Sequence, residues 1–470
     1  MSSPTKNPFR LLPSVEEVLA RPEVAALGQR VSRELLTGFV RAVLDGLRAE
    51  IQDGLAAAPL ERRLADGWLA AELERRVARE ERRGLVRVLN ATGVVLNTGL
   101  GRAPVHPEAA RAMATAAGSY CVLEVERESG RRNRRDDRLS ELLARLTGAE
   151  AAIAVNNNAA ACLLALQALA GGRETVVSRG ELVEIGGSFR MPDVMERAGT
   201  RLVEVGTTNR TRVADYRAAI GPDTGLLLKV HRSNFRLQGF TEEPTCEELA
   251  ELGRSTGVPV VYDLGSGLIE CAGATPLADL EEEPLVLPAV QSGLDAVTFS
   301  GDKLFGGPQA GLIVGLKEAV DEMRASPLYR ALRLDKVSLA GLERTLELML
   351  AGRADELPVR AMLLAGAETL GERARALAAR LEGLPGLAVG VEESGSQPGS
   401  GSAPGIELPT WVVRLDPRGR SAERLAAQLR AADPPVFARI QDDAVLLDPR
   451  TLLPGEEDEL VAVLSAVLQA

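Results

Sequence analysis

The sequence is poor in aromatic residues and has no long apolar run. Phe, Trp and Tyr make up only 3% of its 470 residues, so the core must be built mainly from Leu, Val and Ala. A membrane span needs about 18 or more consecutive apolar residues, and the chain has no such stretch. Its start, Met-Ser-Ser-Pro-Thr-Lys, lacks the apolar segment of a signal peptide. We therefore expect a cytoplasmic protein without a membrane partner.

Histidine and cysteine are also scarce. The chain has only two histidines, His106 and His231, which is too few for most metal clusters. The cysteines show no paired spacing, so we expect buried free thiols instead of a disulfide framework or a zinc site; they are Cys121, Cys162, Cys246 and Cys271. No metal site is expected, and an enzyme of this composition would depend on an organic cofactor.

Charge is unevenly placed, although the net charge of −11 gives no general reason to expect a nucleic-acid partner. One arginine-rich segment, 75–87, alternates with glutamates and is typical of a solvated helix with ion pairs four residues apart. A second segment, 130–138, is less neutralised and falls in a predicted loop. It is the better candidate of the two for binding phosphate.

The spacing of apolar residues divides the chain into three parts. Residues 1 to about 80 show helical spacing, with Ser14 as N-cap and Glu17 three residues later. From about 150 to 316, short apolar runs alternate with helical stretches; strands are predicted at 151–155, 174–178, 201–205, 225–230, 258–263, 296–300 and 310–315. After residue 338, helical segments, a Gly/Ser/Pro-rich loop at 394–405 and further strands and helices indicate a small α+β domain.

This order predicts an α/β fold with a mainly parallel seven-stranded sheet covered on both faces. Only residues 301–309 separate the last two strands, too few for a crossover helix, so these strands should pair antiparallel. We predict a helical N-terminal domain with a linker helix (1–80), a large α/β domain (81–335) and a small C-terminal α+β domain (336–470).

Polar residues follow several of the predicted strands, and ligands of open α/β sheets bind at the carboxyl ends of the strands. Asp263 ends the fifth strand, where a carboxylate could keep a pyridine nitrogen protonated. Lys303 lies in Ser300-Gly301-Asp302-Lys303, just past a buried strand, where loss of water would favour an imine-forming amine. Ser300 could reach the phosphate of the same cofactor. These residues predict a pyridoxal-phosphate site.

Two other segments are placed at the same edge. Asn156, Asn157 and Asn158 open a helix whose free N–H groups suit a phosphate, although Asn is also a good N-cap. His231 follows the fourth strand, and the sequence leaves open whether it stacks on the cofactor ring.

An aspartate at a strand end, followed about 40 residues later by a strand ending in Ser-x-x-Lys, resembles the aspartate-aminotransferase-like (fold-type I) pyridoxal-phosphate enzymes. Longer stretches resemble one family within that group, the bacterial selenocysteine synthases or L-seryl-tRNA(Sec) selenium transferases. They include RVLNATGVVLNTGLGRAPV (87–105), LTGAEAAIAVNNNAAACLLAL (146–166), LLLKVHRSNFRLQGFTEE (226–243), TFSGDKLFGGPQAGLIVG (298–315) and, at the start of the family's tRNA-binding domain, FRLLPSVEEVL (9–19).

The resemblance implies a reaction and the residues that perform it. Seryl-tRNA(Sec) would be converted to selenocysteinyl-tRNA(Sec) with selenophosphate, through an imine with pyridoxal 5'-phosphate and an aminoacrylyl intermediate. Lys303 would be the cofactor lysine, Asp302 its catalytic neighbour and Asp263 the partner of the ring nitrogen. The family's arginines for the phosphate of the selenium donor match Arg102, Arg330 and Arg333, of which the last two are predicted to share a helix face. A ring-shaped homo-oligomer of dimers is implied as well.

The sequence departs from the family at Asn97, Val122 and Arg138, on the side expected to face the substrate. These departures leave a second reading open, a related β-eliminating lyase that acts on a small amino acid or amino-sugar acid. A binding protein that kept the fold without activity is a third reading, and the intact Lys303 and Asp263 argue against it.

Overall fold

The computed structural model describes residues 7–65, 67–186, 189–399 and 401–469. Its internal contacts divide the chain into two units, Met1–Arg87 and Val88–Ala470. Residues 1–6 of the predicted helical domain and Ser400 of the predicted loop lie outside the described residues. Within the described ranges, no helix is both long enough and apolar enough to cross a bilayer.

The first unit is helical, as predicted. Its helices are α1 (Val15–Leu19), α2 (Pro22–Ala25), α3 (Arg33–Gln52), α4 (Ala57–Ala65) and α5 (Trp68–Glu81). The predicted capping box begins α1, because Ser14 Oγ accepts from Glu17 N at 3.2 Å and Glu17 Oε2 accepts from Ser14 N at 2.7 Å. The buried faces of α3 and α5 form one core. On α5 the arginines pair with glutamates, as with Arg76 and Glu72 at 3.0 Å, so the ion pairs expected for this segment are present.

The second unit holds the strands, which fall into two large sheets and one small hairpin. They are β1 (Leu89–Ala91), β2 (Val94–Leu96), β3 (Ala151–Val155), β4 (Glu174–Ser178), β5 (Glu184–Ile185), β6 (Phe189–Arg190), β7 (Arg201–Val205), β8 (Thr224–Val230), β9 (Val260–Gly265), β10 (Ala296–Ser300), β11 (Gly311–Gly315), β12 (Leu387–Gly399), β13 (Leu408–Pro417), β14 (Val436–Gln441) and β15 (Ala444–Leu447).

The helices of this unit connect and cover the sheets. They are α6 (Pro107–Gly118), α7 (Asp137–Thr147), α8 (Asn158–Ala170), α9 (Met191–Arg197), α10 (Val213–Ala219), α11 (Cys246–Thr256), α12 (Val286–Gln291), α13 (Lys317–Ala325), α14 (Pro327–Leu332), α15 (Lys336–Leu350), α16 (Pro358–Leu364), α17 (Ala367–Leu381), α18 (Ala422–Arg430) and α19 (Glu456–Gln469).

The larger sheet has seven strands in the order β3-β11-β10-β9-β8-β4-β7, and the predicted α/β fold is confirmed. Strands β10, β9, β8, β4 and β7 pair in parallel, and β11 runs antiparallel to both β10 and β3. The short link from β10 to β11 therefore has the consequence predicted from its length. Successive strand residues enter opposite cores, for example Ala152 with α7 and Ile153 with α8, so the interior strands carry mainly apolar side chains on both faces.

The second sheet has six strands in the order β1-β14-β15-β13-β12-β2. Strand β1 pairs in parallel with β14, and β2 with β12, so residues on either side of the seven-stranded sheet in the sequence meet here. The prediction of a loop over 394–405 is wrong for 394–399, which continue β12 and pair with β13 as far as Ser396. Glycine and serine have a low strand propensity. They form a strand here because β13 and β2, which are distant in the sequence, pair with it on its two sides.

Candidate active site

The carboxyl edge of the seven-stranded sheet gathers most of the predicted site residues. Strands β3, β8, β9 and β10 end at this edge. They deliver the Asn156–Asn158 turn, His231, Asp263 and Lys303 respectively. The parallel topology thus brings together residues that lie far apart in the sequence, at the place where α/β sheets bind their ligands.

Lys303 lies in the turn after β10 and is only 6% exposed. Its Nζ donates to the carbonyl of Gly401 at 3.3 Å, and Gly401 follows strand β12 of the second sheet. The turn is fixed by its glycines: Gly307 N donates to Gly301 O at 2.8 Å, and a Cβ on Gly301 would meet the Pro308 carbonyl at 2.6 Å. Burial and the nearby Arg102 guanidinium lower the pKa of Lys303, against the opposing carboxylates of Asp263, Asp302 and Glu283. The amine is therefore held closer to its neutral, nucleophilic form.

Asp263 is buried on β9, beside β10 and the start of α8. Its Oδ1 accepts from Asn158 Nδ2 at 2.7 Å and from Thr298 Oγ1 at 3.1 Å. Burial and the Asp263 charge raise the pKa of the Cys162 thiol well above its ordinary value, so this cysteine is inert. Two donors fix the carboxylate in place, and its charge acts on the Lys303 amine.

His231 follows β8, and its backbone N–H donates to the Asp263 carbonyl at 2.9 Å. Its imidazole Nε2 lies 3.5 Å from Oε1 of the buried Glu283. Both side chains line a cavity of about 390 Å³ that extends to Tyr262 and Pro404. His231 is thus adjacent to the acid predicted to meet the cofactor ring.

Arg102 and Asp302 form an ion pair at the same edge. Arg102 Nη1 donates to Asp302 Oδ2 at 3.0 Å, and the Asp302 carbonyl accepts from Ala103 N at 3.3 Å. Arg102 is held at φ +64° after a short turn, which is unusual for a residue other than glycine. This conformation aims the guanidinium at the residue that precedes Lys303.

The asparagine turn divides its tasks between neighbours. Asn157 Oδ1 accepts from Ala160 N at 2.9 Å and so caps α8, one of the two roles that the sequence allows for these asparagines. Asn158 instead reaches Asp263, and its buried Oδ1 has no hydrogen-bond partner among the described residues. Ser300 is buried at the end of β10. How Asn157 and Ser300 contact a cofactor stays a prediction.

The two further arginines predicted to bind phosphate are placed differently from each other. Arg330 is exposed on α14, whereas Arg333 lies beyond the end of that helix and pairs as a β-bridge with Val155. The prediction of a shared helix face is wrong, because extended backbone at Arg333 turns its side chain toward Glu124 at 3.7 Å. Glu124 also contacts Arg132 and Arg135. The hydrogen bond from Arg135 lowers the pKa of Glu124 most, and the charges of Arg135, Arg333 and Arg132 lower it further against a small effect of burial.

The second arginine-rich segment lies mainly in a loop, as predicted, and its last two residues, Asp137 and Arg138, begin α7. Glu126 N donates to Arg131 O at 2.7 Å, Asn133 N donates to Glu124 O at 2.9 Å, and Val125 bridges Arg132. The three departures from the family lie in ordinary surroundings: Asn97 accepts from Gly99 N, Val122 is exposed, and Arg138 pairs with Glu141 at 3.1 Å on α7.

Sequence reasoning missed Thr298, Glu283 and the 401–405 turn. Thr298 is the direct cross-strand partner of Asp263, and its polar side chain in the apolar run Ala-Val-Thr-Phe-Ser was an available signal. Glu283 ends an acidic run typical of a solvated surface, and the turn lies in a predicted loop about 100 residues beyond Lys303. Neither carried a local signal, because both act through long-range contacts.

Family models match most of the chain. The model for L-seryl-tRNA selenium transferase matches residues 88–453, and the model for the selenocysteine synthase N terminus matches residues 9–48. The L-seryl-tRNA(Sec) selenium transferase of Moorella thermoacetica is 50% identical over 99% of this chain and 98% of its own length. The enzymes of the same name from Geobacter sulfurreducens and Aquifex aeolicus are 48% and 40% identical over 98% and 95% of this chain, and over 98% and 96% of their own lengths.

Among solved structures, D-glucosaminate-6-phosphate ammonia-lyase matches with a TM-score of 0.55 and 23% identity, over 83% of this chain and 97% of that one. At this identity the likeness concerns the fold alone. It agrees with the fold-type I architecture expected from the arrangement of Asp263 and Lys303.

Proposed function

Since the chain belongs to the L-seryl-tRNA selenium transferase family, we propose that Lys303, Asp263 and the side chains around them are the active site with which it makes selenocysteine on tRNA(Sec). The cofactor is pyridoxal 5'-phosphate. The observation that carries the proposal is the Lys303 amine, which is 6% exposed, has a lowered pKa and lies within electrostatic reach of Asp263.

The described residues fit this cofactor. A buried amine suits its aldehyde, and a buried carboxylate suits its ring nitrogen. The Asn158 Oδ1 atom is buried without a hydrogen-bond partner, as expected where a polar ligand completes the contacts. Lys303 and Asp263 would hold the reactive end of the cofactor, and Ser300, Asn157, Asn158 and His231 would complete its site.

Each protein group has a defined task in the reaction. When bound, pyridoxal phosphate supplies an electron sink for negative charge at the serine α-carbon. Asp263, fixed by Asn158 and Thr298, holds a proton on the ring nitrogen. Lys303 Nζ, whose pKa is lowered by burial and by Arg102, would remove the serine α-proton and would later give a proton back to the α-carbon. The serine β-hydroxyl would leave as water, taking up the proton that Lys303 removed from the α-carbon, and the β-carbon would then be open to selenium.

Selenophosphate is proposed as the selenium donor, with Arg102, Arg330 and Arg333 as its binding residues. Guanidinium groups bind tetrahedral oxyanions through paired hydrogen bonds. Arg102 is the best supported of the three, because its contact with Asp302 places it beside the Lys303 turn. Asp302 would act as a catalytic neighbour that orients both Arg102 and the lysine.

The helical N-terminal domain (1–80) would bind tRNA(Sec), mostly through phosphates. In the same proposal, residues 81–335 form a large domain that binds pyridoxal phosphate, and residues 336–470 form a small C-terminal α+β domain. The protein would act in the cytoplasm, where charged tRNA is used, as a homo-oligomer built from dimers.

A single-turnover assay tests the function. We expect the purified protein, loaded with pyridoxal phosphate, to convert labelled seryl-tRNA(Sec) to selenocysteinyl-tRNA(Sec) only when selenophosphate is present. Arg102→Ala should raise the selenophosphate concentration needed for half-maximal conversion at least about tenfold. One charge-assisted contact contributes about 1.5–3 kcal/mol to binding. Arg111→Ala, at a surface arginine of α6, is the matched control. Conversion of free amino acids in place of seryl-tRNA would contradict the proposal.

A further inference from the structure

Glu283 stands out in an acidic run that is otherwise solvated. Glu281 and Glu282 are exposed, whereas Glu283 is only 4% exposed. Burial raises the free energy of a carboxylate unless it is paired and hydrogen-bonded. Burial opposes ionisation of Glu283, but the nearby His231 and Ser266 and the hydrogen bond from the Ala403 N–H outweigh it and lower its pKa; the His231 imidazole is a neighbour at 3.5 Å without a hydrogen bond. A buried carboxylate kept ionised in this way marks a specific role for its contacts.

The two oxygens of Glu283 contact two different parts of the chain. Oε1 lies 3.5 Å from His231 Nε2, and Oε2 accepts from Ala403 N at 2.8 Å. Ala403 has φ +44°, in the left-handed region that costs a residue with a Cβ about 1–2 kcal/mol. The hydrogen bond from its N–H therefore offsets a conformation that the backbone does not favour by itself.

The same turn, residues 401–405, contacts Lys303. The Gly401 carbonyl accepts from Lys303 Nζ at 3.3 Å and from Ser402 Oγ at 2.8 Å. A Cβ on Gly401, which has φ +77°, would lie 2.8 Å from that Nζ. The turn is thus so close to Lys303 that a small displacement of the turn would change the positions open to the Lys303 amine.

We propose that Glu283 is a positioning residue that holds the His231 imidazole with one oxygen and the 401–405 turn with the other, so that both sides of the Lys303 site keep one arrangement. It does not touch the reacting atoms and acts through these two neighbours. The inference rests on the proposed function only for the roles of Lys303 and His231.

Glu283→Gln and Glu283→Ala separate the two contacts. The glutamine keeps an oxygen for the Ala403 N–H and loses the charge facing His231, whereas the alanine loses both. Glu282→Ala removes an adjacent carboxylate that pairs with Arg236 at the surface, and it serves as the matched control.

The first measurement is hydrogen exchange of the backbone N–H groups in 401–405, apart from Pro404, which has none, in the protein without cofactor. We expect Glu283→Ala to increase exchange there at least about tenfold, the effect of losing about 1.4 kcal/mol from a buried hydrogen bond. Glu283→Gln and Glu282→Ala should stay within about twofold of the wild type. This measurement uses neither tRNA nor turnover, so failure of the seryl-tRNA assay leaves it interpretable.

The second measurement is titration with pyridoxal 5'-phosphate, followed by the circular dichroism that the bound cofactor acquires. Glu283→Ala should weaken binding at least about fivefold, and Glu283→Gln should bind within about twofold of the wild type but with altered dichroism, because His231 has lost its anionic partner. Unchanged exchange in Glu283→Ala, or dichroism of Glu283→Gln identical to that of the wild type, overturns the proposal. If the alanine variant does not fold, the glutamine variant decides by its dichroism.

Discussion

Lys229 and Lys303 are buried to nearly the same extent, at 7% and 6% exposure, yet their amines are in opposite electrostatic settings. Lys229 lies within β8, and its Nζ contacts Glu181 Oε1 at 3.3 Å and the Pro244 carbonyl at 3.1 Å. Burial by itself would lower the pKa of Lys229, but the carboxylates of Glu181 and Glu243 outweigh it and raise the pKa. This amine is held as a cation.

At Lys303 the balance is reversed. Burial and Arg102 lower the pKa, and the surrounding carboxylates only partly offset them, because Asp302 is itself engaged by Arg102. Equal burial thus goes with a raised pKa at Lys229 and a lowered pKa at Lys303, the residue proposed to react. The charged partners decide which form of a buried amine is stable, and an exposed fraction alone does not identify a catalytic residue.

The largest effect is expected from Lys303→Ala. Without its amine, turnover with seryl-tRNA should fall at least about a thousandfold, and borohydride should no longer attach pyridoxal phosphate to the protein. Peptide mapping after reduction measures the attachment, and Lys229→Met should keep both properties. Attachment at Lys229 in the wild type would contradict the comparison.

Lys229→Met should instead reduce stability. Removing one member of a buried ion pair leaves Glu181 uncompensated, and such losses cost about 3–5 kcal/mol. Urea unfolding of the cofactor-free protein measures the free energy. The double variant with Glu181→Leu should recover a large part of the loss, because it removes the unpaired carboxylate as well. No recovery would show that the lysine stabilises β8 by packing alone.

The reactivity of the two amines should differ with pH. The chain has only five lysines, so acetylation of each can be followed by mass spectrometry. Relative to the same residue in the urea-unfolded chain, Lys303 should become reactive at lower pH and Lys229 at higher pH, following the directions of their pKa shifts. The measurement uses the cofactor-free protein. If the pH midpoint of acetylation moved up for Lys303 and down for Lys229, the comparison between the two lysines would be wrong.

A smaller effect, on the pH dependence of stability, tests whether charged partners also decide the pKa of carboxylates. Burial raises the pKa of Glu181, whereas hydrogen bonds from Arg344 and Arg353 hold the pKa of Glu108 at about 2. A folded-state pKa below the unfolded value adds stability above about pH 4.5, which is lost as the pH falls toward 2. Glu108→Gln should flatten the fall in melting temperature over this window. Glu318→Gln on α13 is the control, and an equal slope in Glu108→Gln and wild type would contradict the prediction.

The large sheet could be predicted closely because its signals are local. Each strand of the seven-stranded sheet is a short apolar run, and the link between β10 and β11 fixes its direction by length alone. Strand β12 and its partners could not be predicted in the same way. Its second half, residues 394–399, is Gly, Ser and Pro apart from Gln397, and its pairing with β2 joins segments about 300 residues apart.

The site shows the same division. Lys303 and Asp263 could be found from the strands that precede them, and Asn158 from the turn after β3. Arg333 could be placed only by its extended backbone, which local helical spacing does not indicate. Glu283 has no local signal, because its burial depends on a turn contributed by residues 401–405.

The pairing of β1 with β14 has a consequence for biosynthesis. Leu89 pairs with Val436, so the segment that directly follows the helical unit leaves the ribosome long before its partner strand has been translated. Completion of the second sheet, and with it the turn over Lys303, must wait until nearly the whole chain is synthesised. A nascent chain that stops short of residue 436 would therefore carry Lys303, the proposed cofactor lysine, without a finished site around it.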